Sequence, residues 1–267
     1  MNGTRPGRTA PHVPILAYHE ISPTPHPKYR TFTVTPAQFD RQMNWLARKG
    51  YRTITFDDLV AHRSGGRPLP SRPVIVTFDD GCRSAAEYAA ATLPNYGFTA
   101  TFYLVPAVIG SATTWARDQR YLPVLDWDMA ERLQALGFTC GSHTFNHRRL
   151  ATVDGAECRD ELERSRAILE ERLGREVVHL SYPHGSFDAD VRRMAAEAGY
   201  RTACTVEHAL SSPADDLLAL PRVRPSGDEP FRDFTLRVRL GKPLDGLLPR
   251  PLSLLAARAQ KLMGGER

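Results

Sequence analysis

The sequence predicts an α/β fold, a complete or partial barrel of parallel strands alternating with helices. Three observations carry this expectation. Apolar strand-type runs alternate with helix-type segments from residue 13 to about residue 205, giving six or seven β/α units. Short turn-rich stretches close the units, as in barrels of this type. The 267 residues are enough for one large core. The expected organisation is an N-terminal tail at 1–12, one barrel domain at 13–240 and a basic, partly amphipathic tail at 241–267.

Each element has a local reason. Residues 13–18 form an apolar run ending in Tyr18-His19-Glu20. Thr35 is placed to cap a helix, with Pro36 at its first position and Gln38 able to close a capping box. Phe39, Met43 and Leu46 follow at helical spacing, and Gly50 ends the segment. Residues 52–56 read as a strand, 57–62 as a short helix, and 73–78, with Val74-Ile75-Val76, as a buried strand. An alanine-rich helix at 84–93, a strand at 98–105 and a helix at 129–136 follow, the last capped by Asp126 or Asp128 and closed by Gly137. The strand at 138–142 precedes a long helix at 153–173 dense in Glu and Arg. A strand at 177–181, a helix capped by Asp188 and ending at Gly199, and a strand at 200–206 complete the alternation.

Composition narrows the function. Hydrophobic residues make up 42% and charged residues 24%, values that exclude disordered, collagenous and coiled-coil chains. No apolar run approaches the roughly 20 residues a membrane-spanning helix needs. The net charge is +5, and residues 237–267 carry all of it, leaving a neutral body that argues against nucleic-acid binding. In the tail, Leu252, Leu254, Leu255, Leu262 and Met263 surround Arg258 and Lys261. That pattern suits either a helix docked on the barrel or peripheral contact with an anionic membrane. Residues 1–11 include basic side chains but no apolar export-signal core, so the expected location is cytoplasmic or peripheral at the inner face of a membrane. Cys82, Cys140, Cys158 and Cys204 lie far apart without a CxxC pair, and read as buried thiols rather than a disulfide framework or structural zinc site.

Parallel β/α folds place reactive groups just beyond the C-terminal ends of strands. Three such ends carry polar clusters: Asp79-Asp80-Gly81 after 73–78, His143 and His147 after 138–142, and Tyr182-Pro183-His184-Gly185 after 177–181. Adjacent carboxylates behind a buried strand repel unless they share a cation or a proton. Two histidines at i and i+4 can face one ion, and one carboxylate completes a three-ligand site with an open position for water. The other carboxylate is then free to act as a base; spacing alone does not say which is which. Zinc suits such donors, and cobalt, nickel, manganese or iron also fit. Asp-Asp-Gly alone also describes a turn, and His-x-x-x-His alone also describes packed histidines. Their joint occurrence after two strands favours a site, whereas His12, His26, His62 and His179 have no such context.

These stretches resemble the polysaccharide deacetylases of carbohydrate esterase family 4, over roughly residues 13–240. Thr77-Phe78-Asp79-Asp80-Gly81, His143-Thr144-Phe145-Asn146-His147 and the Pro183-His184-Gly185 loop carry the resemblance. Residues 14–19 and 39–51 look like the branch that deacetylates exopolysaccharides such as poly-N-acetylglucosamine. The resemblance implies a distorted (β/α)7 barrel and metal-dependent removal of N-acetyl groups from a polysaccharide, oligosaccharide or lipid-linked glycan. It makes Asp79 the general base and Asp80, His143 and His147 the metal ligands, with the backbone N–H of His184 holding the oxyanion. His19 at the mouth, with Tyr182, Pro183 and Gly185, is expected to contact substrate.

Two departures stand out. Ser181 occupies the place of an arginine that positions the base in many members, and Arg222 is the candidate replacement. The late Leu-x-His that supplies the general acid is missing, with His208 and His184 as substitutes. Trp115, Trp127, Tyr121 and Phe145 are candidates for stacking on sugar rings, and Cys82 directly follows the Asp-Asp-Gly turn. An O-acetyl esterase or other amide hydrolase using the same metal site, and a non-catalytic carbohydrate binder, are the alternative readings.

Overall fold

Residues that alternate along the strands fall into two separate apolar clusters, and this division builds the barrel. In the computed structural model, which describes residues 11–115 and 121–242, the strands are β1 (Ile15–Tyr18), β2 (Glu20–Ile21), β3 (Thr33–Val34), β4 (Arg52–Thr53), β5 (Pro73–Phe78), β6 (Thr101–Leu104), β7 (Thr139–Ser142), β8 (His179–Ser181) and β9 (Thr202–Cys204). The helices are α1 (Pro36–Arg48), α2 (Phe56–Arg63), α3 (Arg83–Thr92), α4 (Trp127–Ala135), α5 (Gly155–Leu173), α6 (Ala189–Glu197) and α7 (Phe231–Leu240). The main sheet runs β1-β5-β6-β7-β8-β9 with β4 paired to the start of β5, and every pairing is parallel. β2 and β3 form a separate two-stranded parallel ribbon.

Leu16, Tyr18, Val74, Val76, Phe78, Phe102 and Leu104 face outward into a core shared with α1, α3 and α4. Ile15, Ile75 and Tyr103 face inward with Cys204 and Leu220. This is the period-two alternation of strands covered on both faces. Phe78 stacks on Phe102 with ring centroids 4.7 Å apart, locking β5 to β6 just below the site. Extended residues 220–223 join the two edges of the sheet. Leu220 exchanges backbone hydrogen bonds with Ala203 and Thr205 beside β9, and Val223 does so with Ile15 and Ala17 of β1. The result is a curled, partial (β/α)7 barrel.

The capping box at Thr35 forms as expected, with the Gln38 amide N–H donating to Thr35 Oγ1 and the Gln38 side chain accepting from Thr35 N–H. Asp126 caps α4 by accepting from Met129 N–H at 2.9 Å, and Asp188 caps α6. Several expectations need correction. The strand expected at 52–56 stops at Thr53, because a second capping box between Thr55 and Asp58 starts α2 at Phe56. β2, β3 and α7 had no counterpart in the sequence reading. Residues 243–267, which hold most of the expected basic tail, lie outside the described residues, as do residues 1–10. Among the described residues no helix is long and apolar enough to cross a membrane.

Gly141 on β7 allows close packing below the histidine loop. A Cβ there would stand 2.7 Å from the Tyr103 ring and 2.8 Å from the His179 carbonyl oxygen. Gly141→Ala is therefore expected to cost about 1–3 kcal/mol through overpacking, read by urea denaturation. An unchanged unfolding midpoint would contradict this packing.

Candidate active site

The inward-facing residues of β1 and β5 change from apolar to polar as the strands reach the rim. Ile75 gives way to Thr77 and then Asp79, and Ile15 to Ala17 and then His19. Strict alternation would send Asp80 to the helix side. Its left-handed backbone, with φ of 69°, breaks the alternation, so that both consecutive carboxylates line one cleft of about 650 Å³. Gly81 continues the turn with φ of 63°.

Asp79 is 3% exposed and is gripped by Arg222. Arg222 Nη1 donates to Oδ1 at 2.8 Å and Nη2 to Oδ2 at 2.7 Å, a bidentate pair. The remaining guanidinium donors reach Thr205 O, Thr77 Oγ1 and Ser181 Oγ, so all five N–H groups have partners. Ser181 Oγ also donates to Asp79 at 3.3 Å. Arg222 thus brings a cation to Asp79 from the segment that joins the sheet edges, and the Ser181 hydroxyl bridges the two. Burial pushes the Asp79 carboxyl up, but the Arg222 charge, then His143 and the Arg222 hydrogen bonds, outweigh it and hold it down at about 2.

Asp80, His143 and His147 form the second charge centre. The His143 and His147 Nε2 atoms lie 3.5 and 3.3 Å from the same oxygen, Asp80 Oδ1, and one ligand atom from each residue lies within 4.8 Å of the others. His143 Nδ1 is 2.7 Å from the Ser181 carbonyl oxygen. That oxygen can only accept, which assigns the proton to Nδ1 and leaves the neutral ring's Nε2 lone pair facing the carboxylate. Lone pair against carboxylate is unfavourable unless a proton or cation lies between. The two Asp80–imidazole separations are also close to the ligand–ligand edges of about 3.3–3.4 Å in a tetrahedral site with bonds near 2.0–2.1 Å. The donor set fits a divalent cation.

Four non-glycine residues among those described adopt left-handed backbone: Asp80, Thr144, His147 and His184, with φ between 57° and 69°. All belong to the histidine loop, the aspartate turn or the third loop. Strain confined to one cleft marks a site that surrounding structure holds in place. No sequence pattern announced it at the two histidines.

His19, Tyr182, His184, His208 and Trp115 also line the cleft. His19 Nδ1 is buried without a hydrogen-bond partner. Burial, followed by the charge of His147, lowers His184 to about 4, so it is neutral at pH 7. Tyr182 stacks on Phe187 at 4.8 Å and donates its hydroxyl hydrogen to Leu218 O at 3.0 Å, an arrangement that anchors the loop. Pro183 is buried and Gly185, at φ of 65°, packs its backbone against Val206; both shape the turn that carries His184. Trp115 stacks on His147 at 4.0 Å. Phe145 lies under Arg164 and Trp127 near Arg172, away from the cleft lining, and Tyr121 is exposed outside it. Cys82 is buried at the start of α3. Phe32, Arg149 and Arg224 line the cleft without having been singled out in the sequence, because no motif spacing marks them.

The chain matches the polysaccharide deacetylase family over residues 66–203, more than half its length, and belongs to that family. It is 27% identical over 214 residues to YxkH of Bacillus subtilis (strain 168), covering 80% of this chain and 71% of that protein. It is 21% identical over 207 residues to the poly-β-1,6-N-acetyl-D-glucosamine N-deacetylase of Staphylococcus aureus (strain MSSA476), covering 74% of this chain and 70% of that one. The Streptococcus pyogenes deacetylase PplD, solved in complex with acetate, shares the fold. It superposes with a TM-score of 0.76 at 22% identity, over 86% of this chain and 99% of that one.

Replacing Arg222 by Met leaves Asp79 buried without its cation, an expected loss of about 3–5 kcal/mol at pH 7. The wild-type carboxyl titrates at about 2, below its ordinary value of about 3.9. Its ionised form therefore contributes stability above pH 4 or so, lost as pH falls toward 2. In Arg222→Met the buried carboxyl shifts upward instead and destabilises once ionised. Urea unfolding is expected to show the gap between the proteins narrowing from pH 7 to pH 3; a constant gap would contradict the pairing.

Proposed function

We propose that this protein hydrolyses N-acetyl groups of N-acetylated amino sugars in a polysaccharide, oligosaccharide or lipid-linked glycan, releasing acetate and a free amine. The observation that carries the reading is one cleft holding two differently neutralised carboxylates: Asp79 on Arg222, and Asp80 facing two imidazoles. Similarity to the S. aureus poly-β-1,6-N-acetyl-D-glucosamine N-deacetylase supports the substrate class. Asp80, His143 and His147 would hold one divalent cation. Zinc is the ion this donor set suits best, with cobalt, nickel, manganese and iron also compatible.

A cation held there supplies Lewis acidity that polarises an amide carbonyl and acidifies water. The chain's own groups do the rest. Asp79 accepts the proton of the attacking water, and Arg222 fixes the direction of its carboxylate. The His184 backbone N–H donates no hydrogen bond to another described residue, and its left-handed conformation leaves it available to the developing oxyanion. His19 protonates the departing nitrogen. Its support is its place in the cleft lining with both carboxylates and its unpartnered Nδ1; burial lowers its pKa, and the charges of Asp80 and Asp79 oppose that shift only in part.

Acetate release from chitooligosaccharides and from poly-β-1,6-N-acetylglucosamine by metal-loaded protein tests the reading. Asp79→Asn is expected to keep its metal and lose about 10²–10⁴-fold in turnover, and wild-type rates from that variant would refute the base assignment. His19→Gln is expected to slow turnover by about 10²-fold or more and to flatten the alkaline limb of the pH–rate profile. An unchanged profile would remove His19 as the acid.

A further inference from the structure

We propose that the mouth of this cleft selects glycans bearing an anion, a carboxylate or phosphate close to the scissile acetyl group, through Arg224 aided by Arg149. The proposal rests on the deacetylase reading of the cleft.

The extended segment that joins the sheet edges carries Arg222, and Arg224 follows it two residues on. Residues two apart on an extended strand point the same way, and both Arg222 and Arg224 line the cleft. Their surroundings differ. Arg222, 3% exposed, has a partner for every donor and a bidentate carboxylate. Arg224 is half-buried and, among the described residues, has neither a hydrogen bond nor a carboxylate within ion-pair distance of its side chain. Its guanidinium lies 4.5 Å over the ring of Phe32, which is itself 39% exposed at the cleft. Glu229, the acid whose charge acts on it, is bound instead to Arg237 at 2.6 Å.

Removing a guanidinium from water without an anion is unfavourable. Stacking on a ring leaves its donor edge free and reduces the entropy lost when a ligand binds. Arg149, on the loop after β7, adds a second positive charge to the lining near His184, and among the described residues it too has no carboxylate partner. The acids of the lining do not pair with these charges: Asp79 is neutralised by Arg222, Asp80 is committed to the imidazoles, and Glu20 accepts a hydrogen bond from Thr33 at 2.7 Å. A planar, unsatisfied fork at the mouth matches a carboxylate or phosphate oxygen pair.

The test uses full-length metal-loaded protein and three oligosaccharides: chitotetraose, its 6-O-phosphorylated counterpart, and a counterpart with one 6-carboxyl group. Wild type is expected to favour at least one anionic oligomer by about tenfold or more in kcat/KM. Arg224→Gln is expected to bring that anionic-to-neutral ratio close to one, through KM rather than kcat, with partial recovery in Arg224→Lys. The preference should also shrink as ionic strength rises. Which of the two oligomers responds identifies the anion. Equal handling of all three by wild type, or a ratio that Arg224→Gln leaves unchanged, overturns the proposal, since a guanidinium that merely packs on Phe32 would affect all substrates alike. If no acetate is released from any oligomer, the deacetylase reading fails separately, and the same ratio read as dissociation constants by calorimetry still decides the anion subsite.

Discussion

Two carboxylates on consecutive residues at the end of a buried strand cannot both stay ionised without two separate sources of positive charge. The architecture around Asp79 and Asp80 answers that constraint by sending each to a different partner. Asp79 meets a guanidinium through two hydrogen bonds of 2.7 and 2.8 Å. Asp80 meets two imidazole nitrogens at 3.3 and 3.5 Å, a separation that leaves room for a cation and is too long for a strong hydrogen bond. One carboxylate is thereby kept ionised by a guanidinium, and the other faces two imidazoles in an arrangement that could hold a cation.

Meeting the constraint shapes the surrounding backbone. The guanidinium must come from a segment that reaches the cleft, and residues 220–223 do this while bridging β9 and β1. Joining the sheet edges and fixing the Asp79 carboxylate are therefore one structural act. On the ligand side, Asp80 and His147 take left-handed conformations that non-glycine residues ordinarily avoid, at a cost of order 1–3 kcal/mol each. His143 is set differently, by the hydrogen bond between its Nδ1 and the Ser181 carbonyl. Ser181 thus serves both centres, its carbonyl orienting His143 and its hydroxyl bridging Arg222 and Asp79.

Much of this was legible in the sequence, for identifiable reasons. Val74-Ile75-Val76 before Asp79-Asp80 announces a buried strand ending in paired carboxylates, and the i, i+4 histidines after a second strand point to the imidazoles that face Asp80. The capping signatures at Thr35 and Asp188 placed helix starts correctly because capping is local. Thr55 with Asp58 obeys the same rule, which ends the strand at Thr53 instead of residue 56. The two-residue strands β2 and β3 carry too little pattern to be seen. The left-handed backbone at His147 and the cation on Phe32 depend on contacts distant in sequence. Arg222 could be suspected because Ser181 left a vacancy in the family pattern, but only the parallel bridge between Leu16 and Val223 explains how it arrives beside Asp79.

The central claim is that Asp80, His143 and His147 together bind one divalent ion. Elemental analysis by mass spectrometry after equilibration with zinc and extensive dialysis addresses it most directly, with the full-length protein compared against His143→Ala and Asp80→Ala. The account predicts close to one ion per wild-type chain and a large loss of occupancy in both variants while the fold is retained. Full occupancy in the variants, or no retained ion in the wild type across zinc, cobalt, nickel, manganese and iron, would contradict it.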